Sequence, residues 1–279
     1  MSFEYTTSTI EKWKLDMFMT VVDQFEDDLA KKTHHKLAVG NNYQTILLHI
    51  VGKSILTMRE ILALCAHGYP DGALSLGRNL YEQMMIVEFF EIHKNDDDFQ
   101  KYVDDFFLSY EVQRNKCLRD ISKYLPEEDR VVLDTEREEL KKRTKRRIKG
   151  DYWWTGCERF SDLVSCVMQN QTDDKVSQFL GIQYARYKRA CISLHASCMG
   201  NSSRIGNYSG YEVVDTAPTT CGHSTPLLFA VISLITIIGW VSKSFEIDAS
   251  EYLNKLNELA LFYQSEEKYD TTQNDDGEI

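Results

Sequence analysis

The sequence predicts an all-α protein, a multi-helix bundle of about seven to nine helices. Three observations carry that reading. Only 14 Gly and 4 Pro punctuate 279 residues, too few for the many turns of a sandwich or a nucleotide-binding α/β sheet. Apolar residues recur at helical spacing in segment after segment. No strand alternation and no repeat of fixed period interrupts them. One long loop, Gly200 to Pro226, is the exception, and a stretch of that length is either functional or a small hairpin.

In chain order, Ser8 followed by Glu11 reads as a capping box. It opens a helix with Trp13, Met17, Val21, Phe25 and Leu29 at every fourth position. A second helix spans Tyr43 to Ala66, and His67-Gly-Tyr-Pro-Asp71 closes it with a glycine stop and supplies Asp71 as the next N-cap. The third, Gly72 to His93, is apolar on most sides. A fourth starts within Asn95 to Asp98 and carries Phe99, Val103, Phe106 and Phe107. Pro126 opens a helix through Lys149, the aromatic break Tyr152-Trp153-Trp154 follows, and helices near Glu158–Met168 and Lys175–Cys198 come next. Leu227 to Phe245 is a buried helix, and Asp248 with Glu251 caps a last one.

Residues 1–40 are therefore expected to form an N-terminal helix, 41–264 a helical bundle domain, and 265–279 a disordered acidic tail with too little to bury. The formal net charge of −11 excludes whole-surface nucleic-acid binding. The tail holds six acids against one lysine, however, while residues 141–149 hold seven cations in one run. Seven scattered cysteines with no Cys-x-x-Cys pair exclude a zinc ribbon and a thioredoxin motif. No Glu-x-x-His or His-Glu-x-x-His pair offers a bundle metal site, and no glycine-rich phosphate loop appears. The expectation is no cofactor and no metal. Met1 to Lys14 lacks a leader pattern, and the most apolar run, Leu227 to Val241, falls short of the about 20 residues a membrane span needs. A cytoplasmic protein with no membrane partner follows. His34 and His35 read as surface.

Arg78 and Glu82 are the most informative local feature. On a helical wheel set at Leu74, Met85 falls at about 20°, Arg78 at about 40°, Phe89 at about 60° and Glu82 at about 80°, so both charges share the apolar side. Charges on a core-facing stripe must pair or meet further partners. They form either a structural ion pair that locks packing or a polar site that binds an anion or transition state. Tyr187 and Cys191 lie on the inner face of the later helix, and Tyr184 and His195 flank it. His195 sits at the edge of core and solvent in the last turn, where an imidazole titrates near neutrality.

Arg189 and His195, separated by five residues, are similar to the Arg-x(4–6)-His motif of HEPN ribonucleases. Those are all-α, often dimeric domains whose Arg and His cleave RNA without a metal. A regular helix puts these two about 120° apart, so Arg78 can supply the cation instead. A second resemblance covers about residues 45 to 200. The run Ala-Leu-Ser-Leu-Gly-Arg-Asn-Leu-Tyr-Glu from Ala73 to Glu82, then Trp153-Trp154, then Tyr187 with His195 eight residues on, resembles a bacterial helical domain family of unknown function, DUF5677. Its members show Arg-x-x-x-Glu, a later Trp, and Tyr-x-x-x-Ser-x-x-x-His. Cys191 stands where that Ser is usual. The resemblance implies that Arg78, Glu82, Tyr187 and His195 converge, and names no reaction.

The run Lys141 to Lys149 either tracks a phosphate backbone or is a solvated charged helix with Glu138 and Glu139 at i,i+4 to Lys142 and Arg143. Trp153 and Trp154 beyond it suit base stacking. The function expected is a HEPN-like, metal-independent ribonuclease or toxin of a bacterial defence system. Its catalytic residues would be Arg78, Glu82, Tyr187 and His195, with Arg189, Lys142, Arg143, Arg146 and Trp153 binding substrate. RNA, a second copy in a homodimer and a partner protein are the expected partners. The alternatives are a non-enzymatic helical module that binds a small ligand or protein through the same cluster, and a scaffold whose Arg–Glu pair only specifies packing.

Overall fold

A computed structural model describes residues 9–33, 42–145, 148–194, 205–208, 211–214 and 222–272. Among them are nine α-helices: α1 (Thr9–Thr33), α2 (Tyr43–Ala66), α3 (Pro70–Ile92), α4 (Phe99–Asp120), α5 (Glu127–Arg143), α6 (Phe160–Gln169), α7 (Asp174–Leu194), α8 (Ser224–Phe245) and α9 (Ser250–Thr272). Short 3-10 turns occur at Ser122–Tyr124 and Trp153–Thr155. The protein is an all-α multi-helix bundle. Within the expected loop lies one antiparallel hairpin, β1 (Ile205–Tyr208) with β2 (Tyr211–Val214), in the register Ile205 to Val214 and Tyr208 to Tyr211. The His34–His35 pair lies outside the described residues.

The chain divides into two units. One combines residues 1–37, 47–84 and 178–279, and the other residues 38–46 and 85–177. In the first unit, α1 packs against α9 and α8, and α8 against α9. The every-fourth stripe of α1 explains why: Val21, Phe25 and Leu29 are buried, joined by Leu15, Phe18 and Val22. Trp13, at the start of the stripe, is exposed. Tyr252 of α9 packs edge-on to Phe25 with ring centroids 5.8 Å apart and donates its hydroxyl to the Asp28 carboxylate.

Among the described helices only α8 is long and apolar enough to cross a membrane, and 78% of its most apolar window is buried inside the fold. The last helix does not stop at Gln264. It continues through Ser265 to Thr272, into the segment that was expected to be a disordered tail. The first residues of that segment, Ser-Glu-Glu-Lys, include three good helix formers, so they extend an existing helix without needing a core of their own. Residues 273–279 lie outside the described residues.

The turn from α2 to α3 follows the sequence closely. Gly68 adopts φ +82°, its amide donates to the Cys65 carbonyl at 3.1 Å, and the Tyr69 amide donates to Leu64 at 2.9 Å. This is a Schellman cap, with Pro70 supplying the first residue of α3. Asp71 therefore sits inside the first turn of α3 rather than capping it.

In the second unit, Trp154 stacks on Phe90 at 5.4 Å and meets Phe89 and Phe106 edge-on at 5.6 and 4.9 Å. Trp153 and Trp154 are each only 4% exposed. They are core anchors, and neither ring offers a face for base stacking, which corrects the expectation for Trp153. The basic run is also not one helix. The Thr144 hydroxyl donates to the Leu140 carbonyl at 2.7 Å, α5 ends at Arg143, and Lys145 turns the chain at φ +50°.

Candidate functional site

The candidate site lies in the first unit, between α3 and α7. Arg78 and Glu82 are one helical turn apart on α3, so they share a face. Gly77, beside Arg78, is what lets α3 come close to α8: a Cβ there would stand 3.0 Å from the Phe229 ring. Tyr81 then fills the gap between helices. Its ring lies 5.5 Å from both Phe229 and Tyr187, and its hydroxyl donates to the Leu180 carbonyl at 3.3 Å. Tyr184 stacks on Tyr187 at 5.8 Å, with the Lys188 ammonium 4.7 Å from the Tyr184 ring centre.

On this aromatic floor the polar groups converge. The Tyr187 hydroxyl donates to Glu82 Oε1 at 3.0 Å. The same oxygen lies 3.4 Å from Arg78 Nε, an ion pair without hydrogen-bond geometry. Arg78 Nη1 reaches Cys191 Sγ at 4.0 Å. The Arg78 and Glu82 side chains remain 32% and 26% exposed. The pair is thus neither enclosed nor free in solvent.

The electrostatics follow from that half-burial. Desolvation works against the Arg78 charge, but Glu82, with Tyr187 and Cys191, outweighs it and raises the guanidinium pKa. Burial first, and then the Glu82 carboxylate, push the Tyr187 phenol well above its ordinary range. Tyr187 is therefore a neutral donor that positions Glu82, and it does not serve as a base near neutral pH. Arg78 is a fixed cation with donors to spare, since a guanidinium carries five N–H groups. That combination can hold an anion or a developing negative charge.

The structure brings together three of the four residues expected to be catalytic: Arg78, Glu82 and Tyr187. His195 lies outside the described residues, as does Arg146. Arg189 is exposed on α7, two positions and so about 200° around the helix from Tyr187. Lys142 and Arg143 belong to the other unit. Arg143 pairs with Glu111 of α4, Nη2 to Oε1 at 3.1 Å, and Lys141 pairs with Glu138 at 2.6 Å. Glu139, four residues before Arg143, adds to the charge stabilisation of that guanidinium, as expected of an i,i+4 pair. Sequence reasoning missed Cys191 as a neighbour of Arg78 because a cysteine on an apolar helical face reads as a small hydrophobe. It also missed the Tyr81–Tyr184 floor, whose only signal was aromatic residues at facing positions of two apolar helices. No group of three or more His, Cys, Asp or Glu side chains that could hold a metal occurs among the described residues.

Residues 44–211 match the Family of unknown function (DUF5677), more than half of the chain. The chain belongs to this family. The matched span holds Arg78, Glu82, Tyr187 and Cys191, so the convergent cluster is part of the shared domain, while α1, α8 and α9 lie outside the match. No curated protein and no solved structure matches the chain.

Proposed function

We propose that this member of DUF5677 is a ribonuclease of the HEPN kind, in which Arg78 and His195 carry out phosphodiester chemistry. The observation that supports it is the Arg78 guanidinium: held from one side by Glu82, a third exposed, and with donors left unspent. His195 takes the proton of the ribose 2′-hydroxyl, and the 2′-oxygen attacks phosphorus. The P–O5′ bond breaks and the 5′-oxygen receives the proton, leaving a 2′,3′-cyclic phosphate and a 5′-hydroxyl. Arg78 binds the phosphorane, whose charge is greatest in the transition state. Glu82 and Tyr187 are positioning residues that keep the guanidinium aimed.

The test compares wild type with Arg78→Ala and His195→Ala for growth arrest, total-RNA integrity and the chemistry of the new ends. Cyclic phosphate ends from wild type, and a loss of cleavage by about a hundredfold or more in either variant, are expected. Intact RNA and normal growth with folded wild type would sink the nuclease reading. A second reading, a non-enzymatic recognition module, is favoured by the hydrogen bond from Tyr187 to Glu82, because it fixes the carboxylate beside Arg78 and leaves the guanidinium's outer donors to hold an anion with no proton transfer. It predicts intact RNA and retained anion binding that Arg78→Ala abolishes.

A further inference from the structure

A second cationic concavity lies in the other unit, where α4 and α5 pack side by side. Asn115, buried on α4, donates to the Leu133 carbonyl at 3.0 Å and fixes the two helices against each other. Beside it opens a cavity of about 530 Å³, within the usual range for small-molecule sites of about 300–1,000 Å³. Its wall carries Lys116 and Arg119 from α4, Arg137 and Lys141 from α5, and no carboxylate among the described residues. Leu140 and Ile148 provide an apolar floor.

Four like charges around one concavity repel each other unless an anion joins them. The acids nearby compensate them unevenly. Lys141 meets Glu138 at 2.6 Å, Lys116 meets Asp151 at 3.4 Å, and Arg119 meets Asp134 only at 4.0 Å. Arg137 has no ion-pair partner among the described residues. In a chain of net charge −11, this concentration of cation is a local departure with a shape. The positive-φ turns at Lys145, φ +50°, and at Gly150, φ +71°, flank Ile148 and return it to the cavity.

We infer that this cavity binds a nucleoside phosphate, with the phosphates on Arg119, Arg137, Lys116 and Lys141 and the base on Leu140 and Ile148. Planar, forked guanidinium donors suit phosphate oxygens, and the apolar floor suits a flat base. The ligand is either a free nucleotide or one nucleotide of an RNA strand. The inference goes beyond the proposed cleavage chemistry and does not depend on it.

The test is a fluorescence titration of the intact chain with N-methylanthraniloyl-ADP. Binding should saturate at low ionic strength and weaken with added salt. Arg119→Gln and Arg137→Gln should each weaken it by about tenfold, the loss of one charged hydrogen bond. Arg159→Gln, whose side chain pairs with Asp162 outside the cavity, should leave it unchanged. Displacement by single-stranded RNA identifies the strand as the source, and displacement by ADP alone identifies the free nucleotide; either upholds the inference. It is overturned if the probe does not bind, if the two glutamine variants bind like wild type, or if pyrophosphate competes as well as ADP. Arg78→Ala should bind the probe normally whether or not RNA is cleaved, so the two proposals fail separately.

Discussion

Which contact holds Glu82 in place decides how the Arg78 site is organised, and a double-mutant cycle separates the two candidates. The Tyr187 hydroxyl donates to Glu82 Oε1 at 3.0 Å. A hydrogen bond to a charged group contributes about 1.5–3 kcal/mol when shielded, and Glu82 keeps about a quarter of its surface. Discounting for that leaves about 1–2 kcal/mol of coupling between Tyr187→Phe and Glu82→Ala. The Arg78–Glu82 pair is longer, 3.4 Å, lacks hydrogen-bond geometry, and is partly open to solvent. As an i,i+4 helix pair it should couple by only about 0.3–0.5 kcal/mol. The chain has two units, so a single global unfolding curve would mix them. Hydrogen exchange of the amides of residues 70–84 and 178–194, the parts of α3 and α7 that belong to the first unit, reports that unit directly through a urea series. A coupling for Arg78–Glu82 equal to or above that for Tyr187–Glu82 would refute the assignment of Tyr187 as the residue that positions the carboxylate.

Two further outcomes test the surrounding fold. Gly150→Ala should destabilise by about 2–5 kcal/mol, combining a left-handed backbone penalty with overpacking, because its Cβ would fall 1.7 Å from the Glu158 carbonyl oxygen. Gly156→Ala, also at positive φ but with open space around it, should cost only about 1–2 kcal/mol, and equal urea midpoints for the two would contradict the clash. The Tyr252–Asp28 contact gives a pH signature. The Tyr252 hydroxyl, then Lys31, holds the Asp28 pKa below its usual value, and the same bond pushes Tyr252 up to about 12. The Asp28 contribution is therefore present above about pH 4 and lost as pH falls through its lowered value; the Tyr252 contribution is present below about pH 10 and lost as pH rises through its raised one. The stability gap between wild type and Tyr252→Phe should be widest between these limits and close at the acid end. A gap that stays constant into strong acid would rule out this linkage.

The helices and half of the candidate site were legible because both depend on local period. Arg78 and Glu82 sit one turn apart whatever else the chain does, so their shared face could be read from spacing alone, and α2 needs only its apolar stripe and the glycine stop at Gly68. Spacing places Tyr187 on the inner face of α7, but its meeting with Glu82 rested on the family resemblance. What failed depends on contacts distant in sequence or on single backbone turns. Composition made Lys141 to Lys149 look like one helix, but the left-handed backbone at Lys145 ends it. Trp153 and Trp154 stand among polar residues and looked available, yet Phe89, Phe90 and Phe106 enclose the second of them. No local pattern announces that Arg119 and Arg137, 18 residues apart, face one cavity.

The burial of α8 has a consequence for any shortened form of the chain. Its 22 residues pack against α9, and without that cover they are a stretch that, by length and composition, resembles a bilayer anchor. A chain stopped before Ser250 would leave this apolar surface open to capture by a lipid or by another exposed chain.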